Sequence, residues 1–419
     1  MHLPREIILS HTRSLSVDRG LRHVADTILF ARLALGAMQS GQVKHHLYLL
    51  KHPLSSRLCN YTTTVSLSLL YFQTFHSAIS LEWTQIGEEE ACRAECSLKD
   101  KATAFVLRLL TNLRQIEIDF SPFNYLRPRE TWQWWPRTIA ALKEIGSTAD
   151  GASRPFVRAL ALHAIRPPMD SLLGQVLTAF LPNLSALVLA TDSNYIYKVN
   201  SADFADSWTS IQRHATNLTT LVVSGVPVTA PDGPWACAQS LRSLDITAAP
   251  ALTPTCVYEL ICQFPALRDV TLRSIRRTFA SALPPRDGSD VSTSPQPPAG
   301  VVNSLTHPGS AVVANPRPRN PISLQNLSLS SLDIDFVAAL SSFGTTTLRL
   351  QAIHRSTTLL YLLKQPSAFV GLSRLIVGNE EEMVGGIFGW LGAKETDELK
   401  ALCKERGWSF DDERFSGTK

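Results

Sequence analysis

Between Leu181 and Ile275 one spacing of apolar residues is written four times. Leu181, Leu184, Leu187 and Leu189 set it; Ala215, Leu218, Leu221 and Val223 repeat it, as do Ala238, Leu241, Leu244 and Ile246, and then Phe264, Leu267, Val270 and Leu272. The last pair in each set is separated by one residue, the period-two alternation of a half-buried strand, while the earlier positions step at helical spacing. Successive pairs begin at Leu187, Leu221, Leu244 and Val270, steps of 34, 23 and 26 residues. The segments between them read as helices. Residues 203–214 carry Phe204, Trp208 and Ile211 on one face; residues 253–264 open with Thr253-Pro254, a helix start signal, and carry Val257, Leu260, Ile261 and Phe264. A helix with one apolar stripe cannot bury it alone. Stacked behind a row of strands it can, once about three repeats are present.

The same spacing extends in both directions. Upstream it recurs at Leu110, Leu113, Ile116 and Ile118, behind a helix at 103–110, and at Leu160 and Leu162. Downstream it recurs at Leu324, Leu327 and Leu329, at Leu348 and Leu350, and at Phe369, Leu372, Leu375 and Val377. Steps of about 20 to 29 residues are those of leucine-rich repeats. The expected fold is therefore α/β: a leucine-rich-repeat solenoid, a horseshoe with a parallel concave sheet and outer helices. Because each repeat touches only its neighbours, such an array grows as one elongated unit.

The array divides into five parts. Residues 1–101 hold irregular N-terminal repeats or the remnant of a degenerate F-box. An outward and inward alternation at 11–18 and an amphipathic helix at 21–38 (Val24, Ile28, Leu29, Ala31, Leu35) read as a first repeat; over 40–101 residues 65–69 and 78–81 offer strands and 88–98 a short helix, but no repeat register emerges. Leucine-rich repeats occupy 102–282. Residues 283–321 alternate Pro with Ser, Gly and Asp and contain no aromatic side chain, so they cannot bury enough apolar surface to offset their conformational entropy; a disordered insertion is expected there. Ser294-Pro295 within it is read as part of an inert loop. Repeats return over 322–394, and a charged capping helix and tail close the chain over 395–419, with Gly407 as the stop and Trp408 and Phe410 as a last edge strand.

Composition narrows function. A formal charge of +4 from 40 basic and 36 acidic residues, with no block of five like charges, calls for neither nucleic acid nor membrane. No secretory leader is read at the N-terminus, and the apolar run at 65–81 is too short and too interrupted to span a bilayer. Seven irregularly spaced cysteines read as buried thiols in a reducing compartment, which places the protein in the cytoplasm or nucleus. The Asn-x-Ser/Thr triplets at Asn60, Asn183, Asn217 and Asn326 read as chance matches. Phosphate loops, nucleophile elbows and zinc-protease spacings are absent. Cys92 and Cys96, or His45, His46 and His52, offer too few ligands for a structural zinc site. The three tryptophans Trp132, Trp134 and Trp135 cap the core ahead of a helix at 137–144. No enzyme activity, metal or cofactor is expected; an enzyme using Cys92 or a histidine cluster is the remote alternative.

What the repeats offer is a surface. In each strand the leucines face the core and the residues between and beside them project from the concave face. Among these, Glu117, Asp119, Asp245, Asp269, Arg273, Arg349 and Arg374 are the expected contacts for a protein ligand, acidic ones leading early and basic ones late.

The repeat cores from Leu110 to Val377 and the closing Glu398-Leu399-Lys400-Ala401-Leu402-Cys403-Lys404-Glu405-Arg406-Gly407 resemble the irregular leucine-rich-repeat proteins of fungi, many of them F-box proteins. Leu3-Pro4-Arg5-Glu6-Ile7 looks like the opening of an F-box, which continues as a three-helix unit of roughly 40 residues. In that family the F-box recruits a ubiquitin-ligase core and the repeats choose the substrate. The resemblance thus implies a substrate receptor, with the ligase core as a partner only if an F-box is present; a stand-alone scaffold is the alternative. The chain departs from the family where an asparagine or cysteine is expected three residues after the second leucine, carrying Asp192, Val226, Ala249, Ile275 and Ile353 instead.

Overall fold

The structure, a computed structural model, describes residues 31–35, 59–68, 97, 100–120, 135–147, 156–165, 170–191, 204–228, 233–249, 253–273, 322–330, 334–351, 356–378 and 393–413. Twelve strands form one all-parallel sheet in strict chain order. They are β1 (Arg32–Leu35), β2 (Thr64–Ser68), β3 (Gln115–Asp119), β4 (Ala159–Ile165), β5 (Ala186–Thr191), β6 (Thr220–Ser224), β7 (Ser243–Thr247), β8 (Asp269–Arg273), β9 (Ser323–Ser330), β10 (Gly344–Gln351), β11 (Arg374–Gly378) and β12 (Ser409–Asp412). Seven helices with defined ends return the chain between strands: α1 (Pro136–Gly146), α2 (Asp170–Phe180), α3 (Ala205–His214), α4 (Pro254–Cys262), α5 (Ile334–Leu340), α6 (Ser356–Lys364) and α7 (Ala393–Arg406). Residues 100–109 are helical as well. The fold is the leucine-rich-repeat solenoid that the spacing implies.

Register follows from the paired leucines. Leu160 lies beside Leu187, Leu187 beside Leu221, Leu221 beside Leu244 and Leu244 beside Val270, so the core positions form continuous rows. A second ladder locks them at the strand entrances. The carbonyl oxygens of Arg158, Ser185, Thr219, Arg242 and Arg268 each accept two backbone N–H groups from the next strand's entrance, at 2.7 to 3.1 Å. A one-residue slip would break every such pair and turn the leucines to the solvent.

The sheet includes two strands in the stretch where the sequence offered no repeat register or a helix. Ala31 O accepts from Thr63 N and Thr64 N, both at 3.0 Å, and Thr63 O accepts from Arg114 N and Gln115 N, so β1 and β2 join the same ladder. Val65 and Leu67 are buried in register with Ile116 and Ile118. The expected helix at 21–38 is overturned at its end, where Arg32–Leu35 is strand. An Ala- and Leu-rich run satisfies both helical and strand periods locally, and pairing with β2 decides between them. The strand offered at 65–69 is present as Thr64–Ser68; its repeat register was not legible because Val65 and Leu67 sit among serines and threonines without the upstream helical spacing. The expectations for 3–7, 11–18, the zinc candidates at 45–52 and 92–96, Trp132, Trp134 and the insertion at 283–321 lie outside the described residues. β8 and β9 nonetheless pair in register across that interval, Val270 beside Leu327 and Leu272 beside Leu329.

Behind the sheet the helices and the L-x-L rows share one core. Trp135 is buried at the mouth of α1, as a core cap should be. Gly146 is buried where a Cβ would meet the Ala179 backbone at 2.9 Å, so α1 and α2 approach too closely there for any side chain. The Trp208 and Trp235 rings meet edge to face at 5.5 Å and Trp235 meets Phe264 at 5.4 Å, coupling three successive repeats. Tyr258 of α4 stacks on Phe343 at 5.1 Å and carries the core past the 274–321 interval. In the third copy of the template Cys237 is fully buried and Ala238 is not, so the chain enters that core one residue earlier than the spacing predicts.

Two devices end the elements. Thr253 caps α4, its Oγ1 accepting from Cys256 N at 3.2 Å, with Pro254 next. At α7, Gly407 adopts φ +71° and Trp408 N returns to Cys403 O at 2.8 Å, which turns the chain into β12.

Candidate interaction surface

Strand alternation sorts the two faces of the sheet. In β3, β5, β6, β7 and β8 the residues at the L-x-L positions are buried and those beside them half-buried, and one row of the open face runs Glu117, Ala161, Val188, Val222, Asp245, Thr271, Ser328, Arg349, Ile376, Asp411. All seven expected contact residues lie on this face, in three groups along the sheet.

At the N-terminal side, Arg32 reaches across β2 to Glu117, Nη2 to Oε2 at 2.5 Å, and Gln115 Nε2 donates to the other carboxylate oxygen at 3.0 Å. Asp119 is two residues along, paired in register with His163.

In the middle, Asp245 Oδ1 accepts from Thr247 Oγ1 at 3.0 Å, and Arg273 is the register partner of Thr247. Burial pushes the Asp245 carboxyl above its ordinary pKa of 3.8, against the opposing pull of the Thr247 hydrogen bond and the Arg273 charge. Asp269 Oδ1 accepts from Asn326 Nδ2 at 2.6 Å, a contact that joins β8 to β9.

At the C-terminal side the expected basic end is neutralised. Arg374 Nε donates to Asp411 Oδ2 at 2.5 Å, and Arg349 is ion-paired to Glu413. Ile376, on the open face between them, is buried. Arg32, Asp411 and Glu413 were not among the expected contacts, since nothing local signals that side chains 85, 37 and 64 residues from their partners will meet.

Reading for charge also missed the floor. Across β4, β5 and β6 the open face presents Ala159, Ala161, Ala186, Val188, Ala190 and Val222 together with His163, Thr220 and Ser224. The alternation that exposes Asp245 exposes the alanines and valines too, but they carry no polar label to draw attention.

The strand exits bear on the missing asparagines. Ala164 and Ala248 take φ +54°, and Gly225 takes φ +68° at the equivalent place. Gly225 N then donates to Thr247 O at 2.8 Å and Ala248 N to Arg273 O at 2.6 Å, so backbone alone satisfies the turn. Val226 is buried where the family carries asparagine.

Cys237 and Cys403 are pushed up to about 11 by burial, and Cys59, Cys256 and Cys262 are raised for the same leading reason, so these thiols stay protonated at neutral pH. All five are free. Among the described residues no helix is long and apolar enough to cross a membrane.

No family model matches the sequence. No curated protein matches it either. Among solved structures, a chain in the crystal structure of the Rad7 and Elc1 complex in yeast is similar over 95% of this chain and 99% of that one, with 13% identity and a TM-score of 0.34.

Proposed function

We propose that this chain is a non-catalytic protein-interaction module whose concave sheet face receives a protein ligand. The observation that carries the reading is the open face itself. Twelve parallel strands align their side chains in rows on one side, while the leucines and helices fill the other. Solenoids with extended faces of this kind are binding surfaces. Contact by Glu117, Asp119, Asp245, Asp269, Arg273, Arg349 and Arg374 forms part of the proposal, and Glu117, Arg349 and Arg374 would have to exchange an ion pair within the chain for the ligand.

A finer reading makes the module a substrate receptor of an F-box-type ubiquitin ligase. One observation favours the alternative, a stand-alone scaffold: Arg32–Leu35 is a strand of the sheet, within the roughly 40 residues that an F-box opening at Leu3 would need for its three helices.

Affinity capture from native extract with the full chain tests both levels. The Val222→Arg variant alters the open face, and Tyr361→Ala, on a helix residue 69% exposed, is the control. A protein retained by wild type and the control but lost by Val222→Arg supports concave-face recognition; one retained by all three refutes it. Co-recovery of a cullin adaptor supports the ligase reading, and a retained partner without the adaptor supports the scaffold.

A further inference from the structure

The backbone ladder at the strand entrances also lines up a row of side chains. Arg158 N donates to Arg114 O, Ser185 N to Arg158 O, Thr219 N to Ser185 O, Arg242 N to Thr219 O and Arg268 N to Arg242 O, at 2.7 to 2.9 Å. Six neighbouring strands, β3 to β8, thus place Arg, Arg, Ser, Thr, Arg and Arg along the edge where they enter the sheet. All four arginines are exposed, whereas Ser185 and Thr219 are half-buried. The two hydroxyls turn back on the ladder, Ser185 Oγ donating to Arg158 O at 3.1 Å and Thr219 Oγ1 to Ser185 O at 2.8 Å.

The surroundings leave the charge of this row standing. Within two residues of it on each strand the one carboxylate is Asp269, whose Oδ1 already accepts from Asn326. Among the described residues no ion pair or side-chain hydrogen bond engages the four guanidinium groups. Elsewhere on the open face the charges are matched within the chain: Arg32 pairs with Glu117, Arg349 with Glu413 and Arg374 with Asp411.

Spacing makes two doublets of the four. Adjacent strands lie about 4.8 Å apart, so Arg114 stands beside Arg158 and Arg242 beside Arg268, with the doublet centres four strands, or about 19 Å, apart. An extended chain covers that distance in about six residues. A uniformly anionic polymer is the poorer match. Nucleic acid carries a phosphate on every nucleotide, and would lie over the uncharged Ser185 and Thr219 with Glu117, Asp245 and Asp269 on the sheet beside it. A protein segment can cluster its acidic residues at two places and leave the middle uncharged, and the planar arginine fork suits carboxylates.

We infer that the strand-entrance edge of β3 to β8 takes a protein segment with two acidic clusters about six residues apart, one on Arg114 and Arg158 and the other on Arg242 and Arg268. This rests on the protein-ligand reading above and adds to it the edge, the sign and the spacing of the contact.

Selection of a random peptide library on the immobilised full chain, followed by fluorescence anisotropy with the enriched sequences, tests the inference. The expected consensus has two acidic clusters at that spacing, and its affinity falls as salt rises. Arg158→Gln and Arg242→Gln each weaken it by about twofold to fivefold, and Arg242→Glu combined with Arg268→Glu by about tenfold or more. Lys404→Glu, a charge reversal at an exposed position of α7, is the control and leaves it unchanged. Circular dichroism checks each fold, and the Gln variants carry the test should the double reversal fail to fold. Acidic peptides weakened as much by Lys404→Glu as by the row follow net charge alone and overturn the inference. So does a short oligothymidylate that binds the row more tightly than the peptides do. Enriched peptides that ignore the row but are lost with Val222→Arg overturn it and leave concave-face recognition standing, whereas peptides indifferent to both overturn both. No enrichment overturns the inference alone.

Discussion

Arg374 donates from Nε to Asp411 Oδ2 across 2.5 Å, which ties β11 to the strand that closes the sheet. Both side chains are about half exposed, so the pair sits in water and is screened. Arg374→Ala and Asp411→Ala should each change the stability of the C-terminal repeats by less than about 1 kcal/mol. Urea denaturation at low and high salt checks this, with the wild-type advantage shrinking as salt rises.

Asp100 caps a helix to which it does not belong. It is buried, and its carboxylate accepts from Arg137 N at 3.1 Å and Thr138 N at 2.7 Å, at the start of α1, where Trp135 supplies no side-chain cap of its own. Asp100→Ala leaves those donors unsatisfied at the positive end of the helix and should cost about 1 to 3 kcal/mol. Amide exchange resolves it locally: α1 should lose protection before α4 does.

Trp235 is a hub of shape more than of polarity. Its ring touches both Trp208 and Phe264, and its Nε1 has no hydrogen-bond partner among the described residues. Trp235→Ala should therefore destabilise by about 3 to 5 kcal/mol. Trp235→Phe keeps the edge-to-face contacts and gives up no hydrogen bond, so its cost should be less than half of that. Chemical denaturation of the two variants side by side decides whether packing or the indole N–H matters.

Two alanines should answer the same substitution oppositely. Ala248 sits at φ +54°, where an L side chain is strained by about 1 to 2 kcal/mol, and glycine is not. Ala161 lies in β4 ahead of the register shift between Leu162 and Ile165, where the strand is regular. Ala161→Gly should cost roughly 0.5 to 1 kcal/mol, whereas Ala248→Gly should be neutral or stabilising. Equal destabilisation by both changes would contradict the strained-turn account.

Asp245 gives the stability a pH signature. Its pKa is raised above 3.8 in the folded chain, so the charged form is disfavoured by folding. That penalty is fully present above the folded pKa and is relieved as pH falls through it. Asp245→Asn can keep accepting from Thr247 and carries no charge, so it should raise the urea midpoint at pH 7. Its advantage over wild type should fade as the pH is lowered towards 4.

The solenoid was legible in sequence because its signal is local. Leu187-x-Leu189 and Leu244-x-Ile246 announce strands within three residues, and Thr253-Pro254 announces a helix start in two, so each repeat could be read without its neighbours. The polarity of the open face followed from the same alternation, which is why Asp245, Asp269 and Arg273 were found there. What sequence could not supply was who meets whom between repeats. Arg32 pairs with Glu117, Asp100 with the start of α1, and Asp411 and Glu413 with the late arginines, each over dozens of residues. These meetings depend on how repeats of unequal length stack, and the run at 32–35 became strand only because Ala31 O accepts from the next repeat. Local periodicity determined that there would be a sheet with an open face; stacking alone decided which of its charges pair, because partners such as Arg32 and Glu117 meet only when repeats of unequal length lie side by side.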